Sequence, residues 1–486
     1  MRQLLQLALL FVLMLVLGVS ANAQWECLYA TWDNEVNGTG RQVMSVGVIK
    51  ENMFVALVTY RAQNSFLIPY VDADSGLGRK YYYGYSSAVS GIYQVWTDGG
   101  FDQVPMNNAF MVKAMPDSLI YVANNDPDHN VLVFKYTSDT ITVVDPFPRQ
   151  QTGATSLFGI DVDNNGYVYV CTDTTTGVTS DLKVYKPISQ WTPAGHVDAP
   201  ITSINLPDGV YKGIAVTANG NAIFISDYEN RKVIKYVGSP STGYTLAPGF
   251  NWTIGPADTL SGTPPKRLGP IGLAHLASKN ILAVAVDSLF KPSGGINYTT
   301  GRIYLLNGNT GAPISTDSSM HMIDQAAWSY AVTGSYTERG TGDVPGNVSA
   351  YASTTDVKWD EKGYLYSQSY YGWTVEKWRY IGTLPSFTTA VEEIGGTLPA
   401  GYSLSQNYPN PFNPTTTIEF SLPQSGFVSL RVFDLLGQEI ATLVNEEKAA
   451  GSYRATFDAS NLPSGTYFYA LKTAGYSSAK KMAILK

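Results

Sequence analysis

Charge is scarce in this sequence: Asp, Glu, Lys and Arg make up 15% of its 486 residues, where ordinary domains carry about 25%. That scarcity argues against helix-rich folds built on Glu and Lys. Disorder is also disfavoured, because it needs high charge and few aromatics, and 12% of this chain is Phe, Trp or Tyr. Cysteine is nearly absent, with only Cys27 and Cys171. Two cysteines allow at most one bridge and exclude a zinc site built from cysteine pairs. Cys171 lies in the apolar run Tyr167–Cys171 and reads as a buried thiol. Histidine is equally rare. His129, His196, His275 and His321 fall in neither H-E-x-x-H nor H-x-H spacing. No G-x-S-x-G elbow, G-x-G-x-x-G turn or P-loop occurs, and Ser477-Ser-Ala-Lys480 matches S-x-x-K without the motifs that accompany it in enzymes. Basic clusters are missing too. The net charge is −7, yet residues 401–486 hold 7 Lys/Arg against 6 Asp/Glu and the first 23 residues add only Arg2, which leaves the intervening chain at −9. An acidic body without a basic patch repels phosphate backbones and excludes nucleic acid as a partner.

After the N-terminus no apolar stretch is long enough to span a bilayer, which takes about 20 residues. At the N-terminus itself, Arg2 precedes the apolar run Leu4–Val19, then Ser20-Ala21-Asn22-Ala23 and Gln24. A basic start, an apolar core and an A-x-A end read as a secretory signal peptide over residues 1–23, with no transmembrane anchor after its cleavage. Cys27 stands three residues beyond Gln24, too far from the cleavage point for lipoprotein processing.

What the sequence does have is a repeat. Gly159-Ile-Asp-Val-Asp-Asn-Asn-Gly-Tyr-Val-Tyr-Val-Cys-Thr-Asp173 parallels Gly213-Ile-Ala-Val-Thr-Ala-Asn-Gly-Asn-Ala-Ile-Phe-Ile-Ser-Asp227. Each is a short apolar strand, a polar turn with Gly at the same offset, a second apolar strand and an Asp. The unit recurs at 111–125, 272–287 and 356–369, and more weakly at 45–59, each time as a hairpin pattern. A third strand follows at 131–136, 182–185, 227–236, 302–306 and 375–380, with β-branched or aromatic residues at alternate positions. Antiparallel sheets repeated every 40–60 residues in the sequence suggest a radial propeller, whose sheets leave only short protected edges. The repeated Asp173, Asp227 and Asp287 read as caps on the turns between second and third strands.

The stretch from Gly213 through Tyr236 resembles the blade pattern of NHL-repeat and gluconolactonase-like six-bladed propellers. Counting repeat anchors over residues 24–390 gives six blades, and Trp328–Tyr336, inside a long interval, leaves a seventh open. The resemblance implies that a divalent metal held by scattered acidic and amide side chains in the central channel would make a hydrolase or lactonase. No such set can be matched residue by residue. One calcium-like segment exists: Asp161, Asp163 and Asn165, followed by Gly166, match the first positions of a calcium loop, but Thr172 stands where the bidentate carboxylate belongs. Calcium (or another divalent metal) and a plain hairpin turn both remain open there, and no other cofactor is indicated. Aromatic clusters give another lead. Tyr83 and Tyr85 lie in Tyr81-Tyr-Tyr-Gly-Tyr85, and Tyr371 and Trp373 lie shortly before Trp378. Such rings either stack on a glycan or protein ligand or pack between blades.

The repeat stops near residue 390. Residues 391–402 read as a linker, and 403–486 as a small Ig-like antiparallel β-sandwich with strand candidates at 416–420, 428–434, 439–444, 451–458, 465–472 and 478–485. This module opens on Asn407-Tyr408-Pro409-Asn410-Pro411-Phe412-Asn413-Pro414, whose prolines hold the chain extended. Val432-Phe-Asp-Leu-Leu-Gly437-Gln, Leu462-Pro-Ser-Gly465-Thr-Tyr and the terminal Lys480-Lys481-Met-Ala-Ile-Leu-Lys follow. In this order and spacing the set resembles the type A C-terminal sorting domain of the type IX secretion system. The resemblance implies export across the inner membrane, recognition by the outer-membrane type IX machinery, and release or attachment at the surface of a bacterium of the Bacteroidota or a related phylum. The expectation is therefore a mainly β, secreted or cell-surface propeller cargo. It binds glycan or protein, with the metal-dependent hydrolase as the rival reading.

Overall fold

The computed structural model describes residues 25–30, 41–60, 64–70, 92–97, 100–106, 109–124, 131–137, 140–144, 157–172, 181–191, 199–247, 249–254, 259–260, 266–287, 302–314, 322–323, 354–369, 374–380, 382–387, 391–394, 399–459 and 462–485. Nearly every one of these segments is a β-strand, apart from a single 3-10 turn at Ile188–Gln190.

The repeat units fold as successive antiparallel sheets, each running outward in chain order. The first is Arg41–Lys50, Met53–Tyr60 and Asn64–Tyr70. The second is Met111–Ala114, Leu119–Ala123, Val131–Thr137 and Thr140–Val143; the third is Leu157–Val162, Val168–Thr172, Asp181–Tyr185 and Thr202–Asn205. Tyr211–Val216, Ala222–Asp227, Lys232–Ser239 and Gly243–Leu246 form the fourth. The fifth holds Gly269–Leu276, Ile281–Asp287, Arg302–Asn307 and Met322–Ile323. In the last, Val357–Trp359, Leu365–Ser369 and Thr374–Tyr380 are joined by Trp25–Ala30 from the other end of the chain. The first strands of these sheets pack side by side in a closed cycle, a propeller-like arrangement. The seventh-blade candidate Trp328–Tyr336 lies outside the described residues.

Burial follows from this stacking. Each sheet is covered on both faces by its neighbours, so central strands are buried and mostly apolar: every residue of Ala222–Asp227 is buried, as are Val168–Cys171. Outer strands alternate, as Thr202–Asn205 does. The core is accordingly a set of inter-sheet clusters, such as Cys171, Leu182, Ile214 and Ile225 between the third and fourth sheets. Cys171 is fully buried. The opening glycine of the repeat is needed where neighbouring inner strands come closest. A Cβ on Gly213 would collide with the carbonyl oxygen of Ile271, and one on Gly272 with the backbone of Asp356. Only glycine lets two strands from different sheets approach to that distance.

The first strand closes the ring. Trp25–Ala30 runs antiparallel to Thr374–Tyr380, with Trp25 opposite Tyr380 and Ala30 opposite Glu376. Trp25 is buried, edge-on to Tyr380 at 5.2 Å and 6.4 Å from Trp359. Trp378, expected among the ligand-binding aromatics, is also a core residue. It is fully buried, and its indole nitrogen donates to Ser367 Oγ at 2.9 Å. With no free ring face, it cannot stack on a ligand. Asp227 does cap its turn, accepting from the Asn230 backbone (3.0 Å) and side chain (2.8 Å). Asp173 and the side chain of Asp287 lie outside the described residues.

The C-terminal module is two facing sheets of four strands. One pairs Val391–Ile394, Gly451–Asp458, Thr415–Leu422 and Ser403–Leu404; the other pairs Glu439–Lys448, Gly426–Phe433, Gly465–Thr473 and Tyr476–Ile484. Strict alternation drives this packing: Thr415–Leu422 buries Thr416, Ile418, Phe420 and Leu422 against Val428, Leu430, Val432, Tyr469 and Leu471. Residues 391–394, assigned to the linker from sequence, instead form an edge strand paired with Gly451–Asp458.

Candidate functional site

Two places gather chemistry: the axis of the ring and one end of the C-terminal module. At the axis, the inner strands leave a small cavity of about 70 Å³ lined by Val48, Lys113, Asp161, Val216, His275 and Lys358, with other inner-strand residues. Lys113 Nζ stands 2.6 Å from Asp161 Oδ1 on the next sheet, and Lys358 Nζ stands 2.6 Å from Asp356 Oδ1, just before the start of its own strand. The remaining acceptor capacity is used between sheets. Asp161 Oδ2 accepts from the Val216 backbone at 2.7 Å, and Asp356 Oδ2 accepts from Ser45 Oγ at 2.5 Å. Ser45 Oγ in turn accepts from the Val112 backbone at 3.0 Å, and Ser226 Oγ donates to the Ile271 carbonyl at 2.7 Å. Inner strands of adjacent sheets share no ladder, and these side chains supply the bonds that a ladder would have made. Burial raises the carboxyl of Asp356 above its ordinary range against the pull of Lys358.

His275 completes this region. Its ring stacks on Phe224 at 5.6 Å, and Nε2 lies 2.8 Å from Asn280 Oδ1. The Asn280 amide group donates elsewhere, to Asn309 Oδ1 at 2.9 Å. Nε2 is therefore the protonated nitrogen, and buried Nδ1 has no hydrogen-bond partner. Burial lowers the imidazole to about 4, and the nearby Lys235 ammonium adds to the effect.

In the calcium-like segment the carboxylate oxygens of Asp161 and Asp163 already accept hydrogen bonds. Asp163 Oδ1 accepts from the backbones of Asn165 (2.9 Å) and Tyr167 (3.0 Å), and Oδ2 accepts from Tyr169 Oη at 3.0 Å. Asp161 faces Lys113 instead, and Asn165 is exposed. The same device recurs at Asp360, which serves Lys362 and Tyr364 (both 3.0 Å) and Tyr366 Oη (3.3 Å). Asp434 repeats it with Leu436 (2.8 Å) and Gln438 (2.9 Å). In each, an aspartate closes an Asx-type loop and a glycine at positive φ, Gly166, Gly363 or Gly437, lets the chain turn back. Burial raises Asp163 and Asp360. Among the described residues, no group of three or more His, Cys, Asp or Glu side chains could hold a metal ion. Tyr83, Tyr85, Tyr371 and Trp373 lie outside the described residues.

In the C-terminal module the proline-rich segment is fastened to the last strand. Phe412 is buried; its backbone N–H donates to the Ala483 carbonyl and its carbonyl accepts from Leu485, both at 3.0 Å. Asn410 Oδ1 accepts from the Ala483 backbone at 2.9 Å, and Gln406 donates to the Lys481 carbonyl at 2.7 Å. Buried Asn407 holds the segment from within, donating to the Pro409 carbonyl (3.1 Å) and Thr416 Oγ1 (2.9 Å). The bonds before Pro409, Pro411 and Pro414 are cis. Asn413 and Pro414 lead into the strand Thr415–Leu422, where the Pro414 carbonyl accepts from Ala459 at 2.9 Å. Gly465 opens a strand opposite Ile484, and the Gly437 turn lies at the same end of that sheet. The residues singled out from sequence thus meet at one end of the sandwich, with Tyr408 81% exposed and Lys480 and Lys481 on the neighbouring strand.

Residues 406–485 match the family described as the secretion system C-terminal sorting domain. The chain carries a secretion sorting domain. It is accordingly exported to the cell surface or extracellular space, and recognition by the type IX machinery runs through this domain. No helix among the described residues is long and apolar enough to cross a membrane. No curated protein matches the sequence. Among solved structures, the chain is similar to the β-propeller domain of Myceliophteria thermophila Cps50 (Swd1), with 11% identity, 69% of this chain and 96% of that one covered, and a TM-score of 0.39. A protein of unknown function from Bacteroides thetaiotaomicron gives 11% identity, coverage of 73% and 75%, and a TM-score of 0.38. KlHsv2 with loop 6CD replaced by a Gly-Ser linker gives 8%, 84% and 99%, and 0.37.

Sequence reasoning missed Lys113, Lys358 and His275. Each sits in an apolar strand at a position that looks solvent-facing, and only closure of the ring turns that position toward an axis. The one available sign is positional: aligned on their turns, the strands place Lys113, Asp161 and Lys358 at the same step, where Gly47, Ala215 and Ala274 stand in the others.

Proposed function

We propose that this chain is a type IX secretion cargo whose body is a six-bladed propeller, delivered past its leader at residues 1–23 to bind a glycan or protein at the cell surface. Its sorting domain has an Ig-like sandwich form. The observation that carries the binding reading is the state of the axis. Asp161 and Asp356 are each engaged by a lysine and by donors from neighbouring sheets, so the charged groups there join blades to one another. A lactonase-like reaction would need such carboxylates turned together on a metal. Binding then falls to the aromatic clusters of the sequence, whose Tyr83, Tyr85, Tyr371 and Trp373 are flat rings suited to sugars or to protein contacts.

A glycan array probed with the full-length protein and with Trp373→Ala tests this. Signal for the wild type and its loss in the variant support binding through these rings; equal signal for both sinks it. Turnover of a lactone by the metal-loaded protein would move the assignment to the hydrolase. For the delivery half of the reading, removal of residues 406–485 in the producing bacterium is expected to hold the protein in the periplasm, and unchanged surface delivery would refute it.

A further inference from the structure

The sheet Glu439–Lys448, Gly426–Phe433, Gly465–Thr473, Tyr476–Ile484 has two edges with different surroundings. Its first edge faces the body: Glu439–Lys448 packs on Lys232–Ser239, and Gly249 abuts the Glu439 side chain. Its far edge is Tyr476–Ile484, and only part of that strand is covered. Ala483 bonds outward to Asn410 and Phe412, and the Lys481 carbonyl bonds outward to Gln406. Backbone groups in a strand alternate in direction with a period of two. Since Lys481 and Ala483 point away from the pairing strand, Ser477 and Ala479 point the same way. Among the described residues their outward N–H and C=O groups meet no partner.

The chemistry around this open stretch has one sign. The two outermost strands, Gly465–Thr473 and Tyr476–Ile484, carry Lys472, Lys480 and Lys481 and no Asp or Glu. Lys481 and Lys472 are exposed on the outer face, opposite Phe468 and Ser477 respectively. In the free chain a lysine on an open edge discourages edge-to-edge aggregation, and the same charge selects what can pair there. The acidic body cannot serve as that partner, because it lies against the opposite edge.

Resting on the sorting reading above, we propose that the open edge at Tyr476–Lys480 receives an extended, acidic segment of the outer-membrane secretion machinery as an added β-strand. The backbone of Ser477 and Ala479 supplies the pairing groups, and Lys480 and Lys481 supply the charge that selects the segment. Strand addition of this kind takes its affinity from main-chain bonds and its specificity from flanking side chains.

The two contributions can be separated in the full-length chain expressed in its producing bacterium. Ala479→Pro deletes one outward N–H while leaving the pairing with Gly465–Thr473 intact, since proline is tolerated on the solvent side of an edge strand. Lys481→Glu reverses the charge without touching the backbone. Export is read as the surface-plus-medium share against the periplasmic share, and the thermal transition of the purified protein reports folding. Both variants are expected to keep the wild-type transition and to lower export by roughly tenfold, the scale of one lost hydrogen bond or one reversed contact. Normal export of folded Ala479→Pro overturns the proposal, as does a wild-type dimer that either variant dissolves, which would give the edge to a second copy. Should Ala479→Pro shift the transition, Lys481→Glu decides. Normal export without residues 406–485 would overturn the sorting reading itself, whereas blocked export of that deletion beside normal export of the edge variants overturns only the strand addition.

Discussion

His275 makes the stability of the body depend on pH in a narrow window. Its imidazole is neutral in the fold, with a pKa lowered from 6.5 to about 4 by burial. In the unfolded chain it takes up a proton below about pH 6.5. Between those values the unfolded state binds more protons, so stability falls as pH falls. Each unit is about 1.4 kcal/mol, which gives a loss of about 2 kcal/mol at pH 5 and about 3 kcal/mol once both states are protonated. Above pH 7 the group contributes no slope. The reference is His275→Phe, which keeps a ring on Phe224 and cannot titrate; leaving Asn280 Oδ1 without its donor costs the same at every pH and cancels from the slope. Urea unfolding of both proteins at several pH values between about 5 and 8 isolates the difference. Wild type should lose about 2 kcal/mol more than the variant across that range. Parallel curves would mean that His275 protonates in place, and the buried, unprotonated Nδ1 would be wrong.

Other perturbations read other parts of the structure. Trp25→Ala removes the ring that closes the last sheet and should cost about 3–5 kcal/mol by denaturant unfolding; a change under 1 kcal/mol would show that the seam carries little. Asp163→Ala strips the acceptor from two backbone N–H groups and from Tyr169 Oη, so the Asn165 and Tyr167 amides should exchange with deuterium faster, with a stability loss of about 2–4 kcal/mol. Millimolar calcium should leave the wild-type melting temperature unchanged, because Asp161 already faces Lys113; a rise would restore the calcium loop. Phe412→Ala should lower the unfolding transition of the sorting domain by about 3–5 kcal/mol while the body's is unaltered, and a shared shift would mean that the two unfold as one.

The parts of this molecule that are local in sequence were readable. The hairpins at 159–173 and 213–227, their glycine turns and the strands of the sorting domain all follow from alternation and turn chemistry over a dozen residues. The ordered motif from Tyr408 to Lys481 was legible through its resemblance to the sorting-domain family, in order and spacing. What escaped were consequences of closure. Trp25–Ala30 pairs with a strand some 350 residues away, and nothing in its own composition marks it as the edge of the last sheet. Trp378 looked like an exposed ring beside Trp373, yet Ser367 Oγ satisfies its indole N–H and permits full burial. At Asp161 and Asp163 the sequence leaves two readings open, because a calcium loop and an Asx-closed hairpin use the same preference for aspartate before glycine. The linker was misplaced for a similar reason: four residues suffice for an edge strand, too few for a periodic pattern to emerge.

The seam also fixes how the body answers to force. Trp25 lies opposite Tyr380, so the free ends of the two pairing strands are on the same side of the ring. Tension between the N-terminus and the sorting domain therefore acts across the end of that ladder, breaking its hydrogen bonds in succession, whereas a shearing load would engage them together. Pulled along this axis, the body opens like a zipper whose first tooth is the Trp25–Tyr380 contact. A cargo held at a surface through its C-terminal domain would bear drag on its body through interior ladders, and would yield first when gripped by its N-terminal residues.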